Sequence, residues 1–256
     1  MQVQEGTLKP TDPLCVALGG KALVPEDAVN TSFGLTANPM SGLNMTFDMY
    51  TIEISGKLLK SRSISIEGNP EFSELAFYTN ALDTKTSGFD LVAVYNLDNT
   101  TVSMAYNHNE TEVLKQTQVN GVNPVSDGGV DNLQLNLPKD RMTMTLTQNI
   151  SDAWSVMARL NHYGESWDER GTYDRDNPSE SSKDKIDAVQ FIDVEASYLV
   201  SDNLSVVFGA NNVLNAYPTE IATRASQGMP YPRRSPLGYH GGFTYMRSVS
   251  YTHLRA

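Results

Sequence analysis

The stretch FIDVEASYLVSDNLSVVFGAN, residues 191–211, decides the fold. In its first half Ile192, Val194, Ala196 and Tyr198 alternate with Asp193, Glu195 and Ser197. In its second half Leu204, Val206, Phe208 and Ala210 alternate with Ser205, Val207, Gly209 and Asn211. Successive side chains of a strand point to opposite faces, so each half reads as a strand with one apolar and one polar face. Ser201, Asp202 and Asn203 supply the turn between them. Two carboxylates two residues apart could be a catalytic pair, a metal site or a watery surface. At that spacing on one strand they sit too near each other to embrace a substrate bond. A solvated face is therefore the expectation, and no catalytic residue is assigned.

The whole chain narrows the classes further. Its 256 residues are 39% apolar and 19% charged, enough for one large domain or two ordinary ones. A formal net charge of -11 argues against a nucleic-acid partner, which requires a basic face to displace counterions from phosphates. Cys15 has no second cysteine to pair with, and His108, His162, His240 and His253 lack the close spacings of a zinc site. No metal and no cofactor are expected. No window of about 20 apolar residues exists, so no transmembrane helix is expected. The opening MQVQEGTLKP has neither the basic start nor the apolar core of a signal peptide.

The period of two recurs from residue 30 onward. Phe33, Leu35 and Ala37 alternate with polar or small residues, as do Leu43, Met45, Phe47 and Met49. The phase then slips to Tyr50, Ile52 and Ile54, which implies a bulge near Met49 or a strand leaving the membrane. The same alternation marks GFDLVAVYNL, TVSMAYN, RMTMTLTQ and WSVMARLN. Short connections at 38–42, 98–100, 151–152 and 201–203 alternate with long ones at about 56–72, 112–140, 168–187 and 216–240. Antiparallel strands run up and down, so all short turns fall on one side and all long loops on the other. Transmembrane β-barrels are built with that asymmetry. Tyr95, Trp154 and Tyr198 lie within three residues of a short turn, where a periplasmic aromatic girdle belongs. Arg159 falls at mid-strand on the polar parity; on a lipid face it would cost about 2–4 kcal/mol. Asp90, Arg159, Asp193 and Glu195 are accordingly expected to face a watery lumen. A soluble β-sandwich shows the same alternation, but its loops have no reason to alternate in length.

Several segments, in order, are similar to the C-terminal half-barrel of the TonB-dependent outer-membrane receptors. They are ALGGKALVPEDAVNTSFGL, MTFDMYTIEI, FYTNALDTKTSGFDLVAVYNL, YNHNETEV, DAWSVMARLNHYGESWD, DVEASYLVSDNLSVVFGANNVLNAYP and YPRRSPLGYHGGFTYMR, between Thr7 and Arg247. TNALDTKTSGFDL and GANNVLNAYP are the most specific. The resemblance implies an antiparallel transmembrane β-barrel, all-β and partial, of about nine strands. Their expected borders are 31–37, 43–55, 73–97, 100–112, 141–150, 153–167, 189–200, 203–215 and 241–248, with residues 82–88 irregular. Large transporters of this kind use about 22 strands around a plugged lumen. Residues 1–30 then form an incoming extracellular segment and 31–248 the partial barrel. Residues 249–256 resemble a translated sequencing-adapter tail, because Ser248, Ser250 and Thr252 stand where apolar outward residues belong.

The resemblance further implies energy-driven import of a scarce nutrient through the outer membrane of a Gram-negative bacterium. The ligand would be a siderophore, cobalamin or an oligosaccharide. Expected partners are outer-membrane lipid and lipopolysaccharide, and the TonB energy-transducing complex through an N-terminal part with plug and signal peptide. Arg224, Tyr231, Arg233 and Arg234 could contact an anionic ligand by charge and a sugar by stacking. A passive porin or adhesin barrel and a soluble carbohydrate-binding module or glycosidase are the competing readings.

Overall fold

A computed structural model describes residues 4–119, 121–168, 184–221, 228, 230–232 and 234–250. These residues divide into two compact units. The first draws on residues up to Ser32, Tyr50–Ser87 and Glu110–Gln134; the second on Phe33–Met49, Gly88–Asn109 and the chain from Leu135.

Among the described residues, nine strands make one sheet: β2 (Asp27–Met40), β3 (Leu43–Lys60), β6 (Tyr78–Leu97), β7 (Thr100–Gln116), β8 (Asp140–Asn149), β9 (Trp154–Tyr163), β12 (Val189–Ser201), β13 (Leu204–Asn211) and β14 (Phe243–Ser250). Their spatial order is β14-β13-β12-β9-β8-β7-β6-β3-β2, which follows chain order throughout. The pairings β7–β8, β8–β9, β9–β12, β12–β13 and β13–β14 are antiparallel. β2 and β14 are the edges, so the sheet is open. No helix among the described residues is long and apolar enough to cross a membrane, which leaves strands free to do so.

The register converts the alternation into rows. Leu146, Ala158, Val194, Ala210 and Thr244 lie opposite one another across five strands. The next row on that face is Gln148, Val156, Ala196, Phe208 and Met246. Directly opposed residues share a face, so these two rows are nearly continuous apolar surface. The other face carries Thr147, Met157, Glu195, Gly209 and Tyr245 in one row.

The first unit has a buried core of its own. β1 (Glu5–Thr7) pairs in parallel with β5 (Glu74–Ala76), and β4 (Ile64–Ser65) pairs antiparallel on the far side of β5. Helix α1 (Pro13–Ala17) starts under the cap of Asp12, whose carboxylate accepts the Leu14 N–H at 2.9 Å. Proline at its first position fits there because that N–H would lack an intrahelical partner anyway. The helix places Cys15 against Leu75, Phe77, Ala81 and Val119, with Leu8, Leu14 and Phe72 packed around them. Burial, and then the nearby Asp12 carboxylate, push the Cys15 thiol above its ordinary range.

Several expected borders are corrected. β2 starts at Asp27, inside the segment expected to be irregular, and β3 runs on to Lys60. Residues 82–88 are regular strand within β6, because β3 and β7 extend far enough to flank it on both sides. The element expected from 73 instead divides, its start becoming β5 in a different sheet. Likewise β9 ends at Tyr163, and β10 (Ser166–Asp168) pairs separately with β11 (Asp184–Ile186). β13 stops at Asn211 because Asn212 takes a left-handed conformation, φ 49°. β14 takes in Val249 and Ser250, assigned above to the tail, through pairing with Ser205 and Leu204; residues 251–256 lie outside the described residues. The long connection after β7 contains a helix, α2 (Asp127–Leu135). At the phase slip β3 continues unbroken, and Tyr50 is the first residue of that strand to belong to the first unit.

Candidate functional site

The carboxylates of the opening stretch are both engaged. Asp193 stands opposite Arg159 in the β9–β12 register. Its two oxygens accept the Asn161 side-chain amide and the Asn212 backbone N–H, each at 2.9 Å. Glu195 accepts the Tyr245 hydroxyl and also the Arg247 guanidinium, whose Nη2 lies 3.2 Å from Oε2. Arg159 donates from Nε to the Thr145 hydroxyl at 3.3 Å. Asp90 accepts from the Asn107 amide at 2.8 Å. Asn107 lies opposite Arg141, and Arg141 opposite Tyr163, so Asp90 shares the face of Arg159, Asp193 and Glu195. These four residues are therefore brought to one face, each tied to a polar neighbour. That pattern holds strands in register; it does not leave an acid and a base free.

Trp154 and Tyr198 face each other across β9 and β12, with ring centroids 4.6 Å apart. Both are substantially exposed on the apolar face. Tyr95 lies at another short turn, beside the β2–β3 connection at Gly42. On the apolar face a concavity of about 760 Å3 opens over Ala158, Ala196 and Ala210, between Leu146 and Met246.

The connection from β13 to β14 has a more specific architecture. Asn212 is 4% exposed, and its amide group both donates to and accepts from the Ala216 backbone at 2.8 Å. Asn215, also left-handed at φ 55°, accepts the Gly242 N–H at 2.9 Å. The first asparagine thus closes the turn that leaves β13 and the second ties it to the residue before β14, since short polar side chains tolerate the left-handed region and bond locally. Between them Ile221, Pro232 and Leu237 are buried.

Three tyrosines of the same connection stand side by side. Tyr217 and Tyr231 have ring centroids 6.0 Å apart at an interplanar angle of 17°. Tyr231 and Tyr239 follow at 6.5 Å and 11°. His240 meets Tyr239 edge-on at 5.8 Å. The Tyr231 hydroxyl lies 3.5 Å from Glu220, and partial burial, then that carboxylate, push the phenol above its ordinary range.

Of the four expected ligand contacts, Tyr231 is the central ring of this row. Arg234 belongs to the same connection, whereas Arg224 and Arg233 lie outside the described residues. Sequence reasoning missed Tyr217, Tyr239, His240 and Glu220. The signal was present in NAYP and LGYHGG, but only the fold brings 217 and 239 to either side of 231.

The model of the TonB dependent receptor-like β-barrel matches residues 6–213. A comparison with curated proteins finds no match. Among solved structures, the chain is similar to the FrpB iron transporter of Neisseria meningitidis, with a TM-score of 0.60 and 18% identity over 87% of this chain and 31% of that one. A mutant of the ferric enterobactin receptor PfeA of Pseudomonas aeruginosa gives 0.62 and 17% identity, over 88% and 31%. The ferripyoverdine receptor of the outer membrane of Pseudomonas aeruginosa gives 0.59 and 17%, over 91% and 28%. The chain spans about a third of the length of these structures, and at such identity they speak for the fold alone. A family model matched over most of the chain, on a sheet with one apolar and one polar face, places the chain in the TonB-dependent receptor β-barrel family.

Proposed function

We propose that this chain is part of the wall of an outer-membrane receptor that takes up a scarce nutrient by energy-coupled transport. The observation that carries the reading is the two-faced sheet. Rows of Leu, Ala, Val, Phe and Met on one face suit lipid, and the hydrogen-bonded charged side chains of Asp90, Arg159, Asp193 and Glu195 on the other suit a watery lumen. On this reading Tyr95, Trp154 and Tyr198 form the girdle on the periplasmic side, and the apolar face meets lipid and lipopolysaccharide. On the same reading the hydrogen-bonded carboxylates stabilise the wall.

Two of the similar structures are ferric-siderophore receptors and one is an iron transporter, which makes a ferric siderophore one candidate cargo. The β13–β14 connection, with its aromatic row, is the part of the described chain best equipped to meet a ligand. Coupling to TonB would run through an N-terminal part of the receptor. The test is uptake of labelled ferric siderophore, cobalamin and oligosaccharide by Gram-negative cells carrying the receptor gene, with and without TonB. Uptake that vanishes without TonB supports the proposal; uptake indifferent to TonB supports a passive pore and overturns it.

A further inference from the structure

On the polar face of the sheet Arg141 lacks the tie that its charged neighbours have. It is exposed on β8, opposite Asn107 of β7 on one side and Tyr163 of β9 on the other. Among the described residues its guanidinium has neither a hydrogen bond nor an ion pair, whereas Asp90, Arg159, Asp193, Glu195 and Arg247 each have one. Asp90 is two strands away on the same face, which sets the two backbones about 10 Å apart. Asn107 stands between the opposite charges and gives its amide to Asp90 at 2.8 Å, which leaves the second Asp90 oxygen and the Asn107 side-chain carbonyl as acceptors. A cavity of about 290 Å3 lies at this place, lined by Asp90, Asn107, Arg141 and Tyr163, with Val92 and Ala105 giving it a small apolar side. The Tyr163 ring that bounds it is braced by Phe191, with centroids 6.1 Å apart at 10°.

We propose that this cavity binds a small zwitterion of the α-amino-acid class, its carboxylate on Arg141 and Tyr163 and its ammonium on Asp90 and Asn107. A guanidinium matches a carboxylate with two parallel N–H donors, and the Tyr163 hydroxyl supplies a third. An ammonium has donors only, and the acceptors it needs are the oxygens left on Asp90 and Asn107. An α-amino acid carries both groups on one carbon, so a single molecule fills the gap between two charges that the wall holds apart. Val92 and Ala105 take its side chain. The cavity is at the small end of ligand-sized pockets, which suits a molecule of this size and leaves no room for a bulky chelate. A simple anion fits less well, because Asp90 repels it nearby and the net charge of -11 opposes it from afar. A simple cation meets the same objection from Arg141. The inference rests on the import reading only for the lumen around the cavity; binding itself is a property of this chain.

The experiment uses the full 256-residue chain folded in micelles of dodecyl maltoside, a nonionic detergent. Saturation-transfer NMR titrations are run with L-alanine, L-glutamine and L-leucine, with the N-acetyl and amide derivatives of each, and with inorganic phosphate. At least one amino acid should bind. Its N-acetyl form, which lacks the ammonium, and its amide, which lacks the carboxylate, should each bind about tenfold more weakly, the order expected for losing one charged hydrogen bond. Arg141→Gln should weaken the amino acid about tenfold and leave the amide derivative as it was. Asp90→Asn should weaken the amino acid by a similar factor and spare the N-acetyl derivative. A wall merely loosened by substitution would not give that crossed pattern, and Arg141→Gln, which removes no partner, should leave the urea midpoint in place. The assignment is wrong if no amino acid binds, if the N-acetyl derivatives or phosphate bind as tightly as the parent, or if each variant weakens all three forms alike. Amino-acid binding without TonB-dependent uptake would remove the import reading and leave the cavity's role standing; uptake without amino-acid binding would do the reverse.

Discussion

Gly209 should not tolerate alanine, and the structure fixes both the reason and the size of the effect. Gly209 stands opposite Glu195 on one side and Tyr245 on the other, so three strands meet at this row. The Tyr245 ring crosses β13 over Gly209, and its hydroxyl donates to Glu195 on β12. A Cβ at 209 would fall 2.7 Å from Tyr245 Cε1 and closer still to Cζ, so the ring must leave. A hydrogen bond to a charged group is worth about 1.5–3 kcal/mol, and it goes with the ring. Alanine regains about 0.5–1 kcal/mol over glycine within a strand. The net expectation for Gly209→Ala is a loss of about 0.5–2.5 kcal/mol. Urea unfolding of the micelle-folded chain, followed by the fluorescence of Trp154 and Trp167, measures it as a shift in midpoint at constant slope. In a Tyr245→Ala background the cost should disappear, giving a coupling of similar size in the double-mutant cycle. Equal cost of Gly209→Ala in both backgrounds, or stabilisation in the parent, would refute the clasp.

Other expectations separate the two faces and the two units. Ala158→Arg, on the apolar face, should cost about 2–4 kcal/mol in bilayer-folded protein, whereas Met157→Arg, next door on the polar face, should cost under about 1 kcal/mol; urea unfolding in vesicles compares them. Asn212→Gly retains the left-handed conformation but loses the bonds to Ala216, and should destabilise by about 1 kcal/mol; Asn212→Ala adds backbone strain and should exceed it in the same assay. The Cys15 thiol should react with Ellman's reagent far more slowly in the folded chain than in urea. Its raised folded pKa means that the unfolded thiol ionises first as pH rises. Its contribution to the first unit is therefore complete below the ordinary thiol range and is lost above it, which a Cys15→Ala variant should no longer show.

Where structure depends on neighbours along the strand, the residues announce it. The alternation of Leu204 to Ala210, the turn at Asp202 and Asn203, and the apolar parity of Met142 to Leu146 all reappear as rows in register. The partners of Asp193 and Glu195 were not legible, because Tyr245 is 50 residues from Glu195 in sequence and no periodicity links them. The regularity of residues 82–88 was hidden for a related reason: Asp83 and Lys85 look like loop, yet Asp83 accepts the Gly56 N–H at 2.9 Å and Lys85 pairs with Glu53 at 3.0 Å. The core around Cys15 escaped notice because its pieces, PLCVA, ELAF and Val119, each carry too little apolar weight to signal a domain. Likewise the tyrosine row needed the two asparagine ties to bring Tyr217 back to Tyr231.

The first unit joins three stretches of chain through one core and one parallel pairing, Glu5–Thr7 on Glu74–Ala76. Surface connections usually diverge one at a time, because an insertion in one leaves the rest untouched. Here a change in the stretch around Leu75 strips the cover from Cys15 and Val119 together. Related genes should therefore differ in this region by exchange of the whole ensemble, with the three stretches inherited as a set, and a chimaera that swaps a single stretch should lose the unit's fold while leaving strands β8 to β14 intact.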